Sequence, residues 1–88
     1  MSISGLALKL LIYIVLEEHE VTLQKLHTKF YEPNYDVTKA LEELINEEMV
    51  VRQKINEDLG HYWVYGATVT GRSFARFLGE ELRDVYVH

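Results

Sequence analysis

Leu10 to Leu16 is an unbroken run of seven apolar residues, and it constrains the fold more than any other feature of the chain. Seven residues make about two helical turns, so a helix over this run is apolar in every direction around its axis. A helix on the surface of a globular protein carries only an apolar stripe. The run therefore needs burial on more than one side, and a partner subunit is the simplest supplier of the second surface. The whole apolar stretch from Ile3 to Leu16 is too short for a bilayer, which takes about 20 residues, and Lys9 interrupts it. It is followed by Glu17-Glu18-His19-Glu20, with no small-residue cleavage site, so it does not read as a signal peptide. No membrane role is expected.

A first helix is predicted over about Ile3–Glu18, with Ser2 or Ser4 as its cap. Val21 is placed as a short strand. Thr22 then caps a second helix, Leu23–Phe30, with Leu23, Leu26 and Phe30 on one side. Tyr31-Glu32-Pro33-Asn34 stops it: Pro33 biases Glu32 away from helix, and Asn34 is positioned to cap the next helix. That third helix, over about Tyr35–Glu48, carries Val37, Leu41, Leu44 and Ile45 on one face, with Met49 completing the stripe. Its other face holds Asp36, Lys39, Glu42, Glu43, Asn46 and Glu47. Val50–Ile55 and His61–Val69 read as two strands around the turn-rich tip Asn56–Gly60, with Gly66 marking a bulge or the strand end. Thr70 is the expected cap of a fourth helix from Gly71 to about Arg83. One domain over residues 1–83 and a tail over 84–88 complete the organisation.

The chain is thus mainly α with a small β-hairpin wing, in the order α-α-α-β-β-α with a possible short strand at Val21. That is the order of a winged helix-turn-helix. Two segments carry a closer likeness. VTKALEELINEEMVVRQ (Val37–Gln53) resembles the recognition helix and first wing strand of MarR- and PadR-type transcriptional regulators. VTGRSFARFL (Val69–Leu78) is similar to the threonine–glycine–arginine start of their last helix. One departure is Glu48-Met49, where such regulators usually carry glycine between the third helix and the wing. Without it the helix is expected to end with no left-handed residue, or to run slightly further.

The resemblance implies a homodimeric, site-specific regulator that binds duplex DNA. Its recognition helix, about 35–48, would lie in the major groove, with the wing, about 50–69, on the backbone or minor groove. Carried onto this chain, the residues at the base edges are Asn34, Tyr35, Thr38 and Lys39. Arg52, Lys54 and His61 belong to the wing, and Lys25 and Lys29, spaced i, i+4, suit phosphate contact from the second helix. The alternative for the same five cations is an ordinary solvated surface, and the fold favours their use at the DNA face. Asp36 either compensates the helix dipole or opposes a phosphate. Glu42 and Glu43, one to two turns in, have room to point away from the groove. The dimer surface is expected at Leu10 and Ile14 of the first helix and at Phe74, Phe77 and Leu82 of the last.

Charge limits what such binding can be. With 9 basic and 14 acidic residues the net charge is −5, so a dimer carries twice that, and indiscriminate nucleic-acid binding is excluded. The screening length in physiological salt is about 8 Å, so a local basic face still counts. The acidity also supports an alternative: a winged-helix protein–protein interaction module, an adaptor or inhibitor that does not touch DNA. Trp63 reads as a core or dimer residue rather than a stacking platform. Glu17–Glu20 and the four histidines lack metal-site spacing. No nucleophile–base arrangement and no phosphate-cradling glycine loop is present, so the chain reads as a binder and not an enzyme, with no cofactor. The absence of cysteine fits a cytoplasmic setting. A small-molecule effector is left open.

Overall fold

The computed structural model describes the backbone of residues 3–17 and 19–87, and the side chains of 3–17 and 19–79. The elements are α1 (Gly5–Leu16), β1 (Val21–Thr22), α2 (Leu23–Lys29), α3 (Asn34–Asn46), β2 (Val50–Glu57), β3 (Gly60–Ala67) and α4 (Val69–Val87). The strands form an antiparallel sheet in the order β1-β3-β2, so the two-residue β1 closes the inner edge of the hairpin. This is a winged helix-turn-helix.

Ser4 starts α1: its hydroxyl accepts from the Ala7 amide at 3.1 Å, and its carbonyl from Leu8 at 3.0 Å. The helix stops at Leu16, short of Glu18, because Glu17 is already extended. Ala7, Leu10, Leu11 and Ile14 point inward at spacings of three and four and are completely or nearly completely buried. They pack with Leu26 of α2, with Val37, Ala40, Leu41 and Leu44 of α3, and with Val21, Met49, Val50 and Tyr65. Every buried residue of this core is apolar or aromatic, so no desolvated charge has to be compensated. Leu10 and Ile14 are therefore interior to a single chain and unavailable to a partner, contrary to expectation. The all-round apolar run leaves Leu16 outside instead, at 77% exposure. No helix among the described residues is long and apolar enough to cross a membrane.

The helix ends show which local rules prevailed. Thr22 caps α2 as expected, its hydroxyl accepting from the Lys25 amide at 3.1 Å. Asn34 does not cap α3. Pro33 takes that place, with φ −55° and ψ 143°, and its carbonyl accepts from Asp36 at 2.9 Å and Val37 at 3.1 Å. Asn34 is thereby displaced to the first helical position. The C-terminus of α3 has the left-handed residue that the missing glycine argued against: Glu48, with φ 59°. Around it the Glu48 amide donates to the Ile45 carbonyl (3.0 Å) and the Met49 amide to Leu44 (2.9 Å). That is a Schellman closure, and its usual apolar contact is available in the buried pair Leu44 and Met49.

The strands run further toward the tip than expected, and Asp58-Leu59 alone make the turn before Gly60, at φ 141°. Gly66 pairs in register with Val51, with no bulge. Strand β3 ends at Ala67, so Val69 belongs to α4. Thr68, not Thr70, caps that helix: its hydroxyl accepts from Gly71 N–H at 2.9 Å and donates to the Glu48 carbonyl at 2.7 Å. The Thr68 amide donates to the Met49 carbonyl at 3.0 Å. One threonine thus joins the end of α3 to the start of α4. The backbone of α4 takes in residues 84–87, which the sequence assigns to the tail.

Candidate nucleic-acid interface

The apolar face of α3 is fixed by Val37, Ala40, Leu41 and Leu44, and whatever lies opposite is presented to solvent. Asn34, Tyr35, Thr38 and Lys39 are all exposed, Tyr35 to 75%. Among the described residues, none of these four side chains makes a hydrogen bond within the chain. Two acids of α3 fall on different sides. Glu43 accepts from the Ser4 backbone amide at 3.0 Å, which turns it toward α1 and holds its carboxyl below its ordinary range. Glu42 is exposed on α3. It stands seven residues, or two turns, after Tyr35 and so shares the outward row. Asp36 is exposed in the first turn and, with Lys39 and Glu43, lines a cleft beside the start of α1.

The hairpin register groups the wing residues. Arg52 pairs with Tyr65, Lys54 with Trp63 and Asn56 with His61, so these six share one face. The Arg52 guanidinium lies over the Trp63 ring, 4.6 Å from its centroid, while His61 meets the same ring edge-on at 6.4 Å. Trp63 packs against the core at the base of the wing. Burial pushes the Tyr65 hydroxyl above its ordinary range; Arg52 pulls it back and the Glu42 charge adds to the rise. The tip is acidic, with Glu57 and Asp58 beside a fully exposed Leu59.

Lys25 and Lys29 are not gathered with these groups. Lys25 donates to Glu17 at 3.1 Å, an exposed pair that lowers the Glu17 carboxyl and raises the lysine through that same hydrogen bond. Lys29 lies 6.0 Å from the centre of the Tyr13 ring. Both reach toward α1, because the buried side of α2 is set by Leu26.

Seven of the nine expected contact residues thus belong to α3 and one wing face, and two reach toward α1. One feature escaped the sequence reading: Tyr31, 97% exposed, stands in the turn between α2 and α3. Glu42, already read from the sequence as an exposed acid of the same helix, stands in the row of Tyr35. Of the expected dimer residues, Phe74 is half-buried against the core and Phe77 is 57% exposed. Leu82 has its side chain outside the described residues.

No protein-family model matches the chain, and no curated protein matches it. Solved structures do. AF1382 from the archaeon Archaeoglobus fulgidus superimposes with a TM-score of 0.76 at 18% identity, covering 91% of this chain and 87% of that one. A mutant of ZitR from Lactococcus lactis gives 0.71, also at 18% identity, covering 98% of this chain but 59% of the other. The chain is similar to both in fold, at low sequence identity.

Proposed function

We propose that the protein is a site-specific, duplex-DNA-binding regulator of the MarR- and PadR-like kind, acting as a homodimer. The observation that carries this reading is the exposed start of α3. Asn34, Tyr35, Thr38 and Lys39 occupy its first two turns and are free of hydrogen bonds to the described chain. The N-terminal residues of the second helix in a helix-turn-helix are those that meet base edges in the major groove. Lys54 and Arg52, on one face of the wing, supply backbone contacts beside them. Two copies would set two α3 helices about 34 Å apart and favour palindromic sites.

A second reading is favoured by a specific observation. Glu42 on the outward row of α3 and Glu57 and Asp58 at the wing tip would face phosphates, against binding. An acidic protein-interaction module would use the same surface without that penalty. The discriminating experiment is a gel shift with a pool of random duplexes at low salt. DNA binding predicts a shifted fraction that enriches for a common site and is lost when Lys39 and Lys54 are both changed to Ala. No shift with any pool would favour the interaction module.

A further inference from the structure

The single tryptophan of the chain stands on the wing, and the hairpin register decides which groups surround its ring. Trp63 lies directly opposite Lys54 and diagonally across from Arg52, whose own partner is Tyr65. The diagonal neighbour takes the ring face, with the Arg52 guanidinium 4.6 Å from the ring centroid. A long side chain on a sheet reaches a diagonal neighbour readily. His61 meets the same ring at 6.4 Å, its plane turned by 83°. Trp63 is itself half-buried against the core, so the ring is a fixed support. Lys54 has no ring beneath it, and neither cation has an acid within salt-bridge distance among the described residues. After Lys54 the chain carries no lysine or arginine until Arg72, while the turn between the strands adds Glu57 and Asp58. A phosphate would therefore be met by the flank of the wing and not by its tip.

We infer that Trp63 is a positioning residue for duplex binding: its ring holds the Arg52 guanidinium in place before DNA arrives, so that the wing grips a phosphate by its flank. The inference rests on the DNA-binding reading above and assigns the part of the wing in it. An unsupported arginine gives up rotamer freedom when an interface immobilises it. One stacked on a ring rooted in the core has given up that freedom on folding. Its planar group still presents N–H donors along its edge, in the fork that matches a phosphate. Lys54, without such a support, meets the backbone as a point charge alone.

A double-mutant cycle on the full chain separates this role from one in folding. The probe is the duplex that selection from a random pool enriches, titrated from about 50 to 200 mM salt, with circular dichroism confirming each fold. Trp63→Val should weaken binding by about two- to tenfold per subunit and leave the salt slope unchanged, since no charge is lost. In the Arg52→Ala background the same change should cost nothing further, whereas it should add to the loss caused by Lys54→Ala. In the free protein, Arg52→Ala should shift the fluorescence emission, which Trp63 alone supplies among tryptophans. A Trp63→Val loss that persists undiminished without Arg52 would overturn the inference, as would parent-like binding by Trp63→Val or an unshifted emission. If Trp63→Val does not fold, Arg52→Lys carries the test, because it keeps the charge and removes the planar group. Arg52→Lys should then bind at least about twofold more weakly per subunit with an unchanged salt slope, and parent-like binding would overturn the inference. A folded parent that binds no duplex would instead remove the DNA-binding reading, and this inference with it.

Discussion

Gly71→Ala tests how the wing is anchored to the last helix. A Cβ at Gly71 would collide with the Met49 carbonyl oxygen, and would stand 2.9 Å from the carbonyl carbon and 3.2 Å from the Met49 Cα. These are backbone atoms, so no side-chain rotation relieves the contact. Moving the start of α4 away, by on the order of 1 Å to reach ordinary C···O contact, strains the Thr68 bonds to Glu48 and Met49. Overpacking of this kind costs about 1–3 kcal/mol. Loss of the two hydrogen bonds adds about 1 kcal/mol each. Replacing glycine by alanine in a helix returns up to about 1 kcal/mol. The net is a destabilisation of about 2–4 kcal/mol, which for a domain of this size lowers Tm by on the order of 10–25 °C. Thermal melts followed by circular dichroism measure it, with urea melts giving the free energy. Gly79→Ala is the control: its Cβ enters open space, so the fold should gain about 0.5–1 kcal/mol. A Gly71→Ala protein that melts at or above the parent would refute the packing argument.

Other perturbations probe other parts of the molecule. Glu48→Gly should stabilise the fold by about 1 kcal/mol, because the residue already holds φ 59°, where a side chain is unfavourable; urea titration measures this directly. Thr68→Ala should cost about 1–2 kcal/mol through the lost cap, whereas Thr70→Ala should leave urea stability nearly unchanged. The Glu43 carboxyl is held below the ordinary 4.5 by the Ser4 amide, so its contribution is full above that pH and is lost as pH falls through the lowered value. Glu43→Gln should therefore flatten the acid limb of stability measured between about pH 3 and 6. If Lys39 contacts a phosphate in each subunit of a dimer, Lys39→Ala should reduce the slope of log affinity against log salt by about 2.

Those positions also show what the sequence made legible. The order of elements came from apolar spacing, which tertiary packing reinforced: Leu26 and Leu44 are buried where the three-and-four pattern puts them. Caps were harder, because adjacent residues compete. Thr68 and Thr70 are both capable, and what selects Thr68 is a carbonyl twenty residues earlier in the chain, which no local pattern displays. Pro33 prevailed over Asn34 because its fixed backbone angle needs no side-chain bond. Glu48 adopts a conformation usually left to glycine, since closing α3 onto Met49 and Leu44 outweighs the strain. At the candidate site, composition identified the cations but not their partners. Lys25 is directed to Glu17 and Arg52 to Trp63, and both pairings exist only once helices and strands have packed. The all-round apolar first helix raised the expectation of a second surface. Which of its residues were left outside depended on the other helices: Leu16 is exposed, and Leu10 and Ile14 are not.

Duplex binding by the start of α3 underlies the whole functional reading, and a titration at two salt concentrations puts it at risk. Labelled random duplexes, carried through rounds of selection with the full chain at about 50 mM salt, should converge on a palindromic site. Affinity for that site should fall steeply between about 50 and 200 mM salt and should be lost in the Lys39→Ala, Lys54→Ala double variant. Failure of any duplex to be retained at the lower salt, with the protein folded, would contradict DNA binding by this surface.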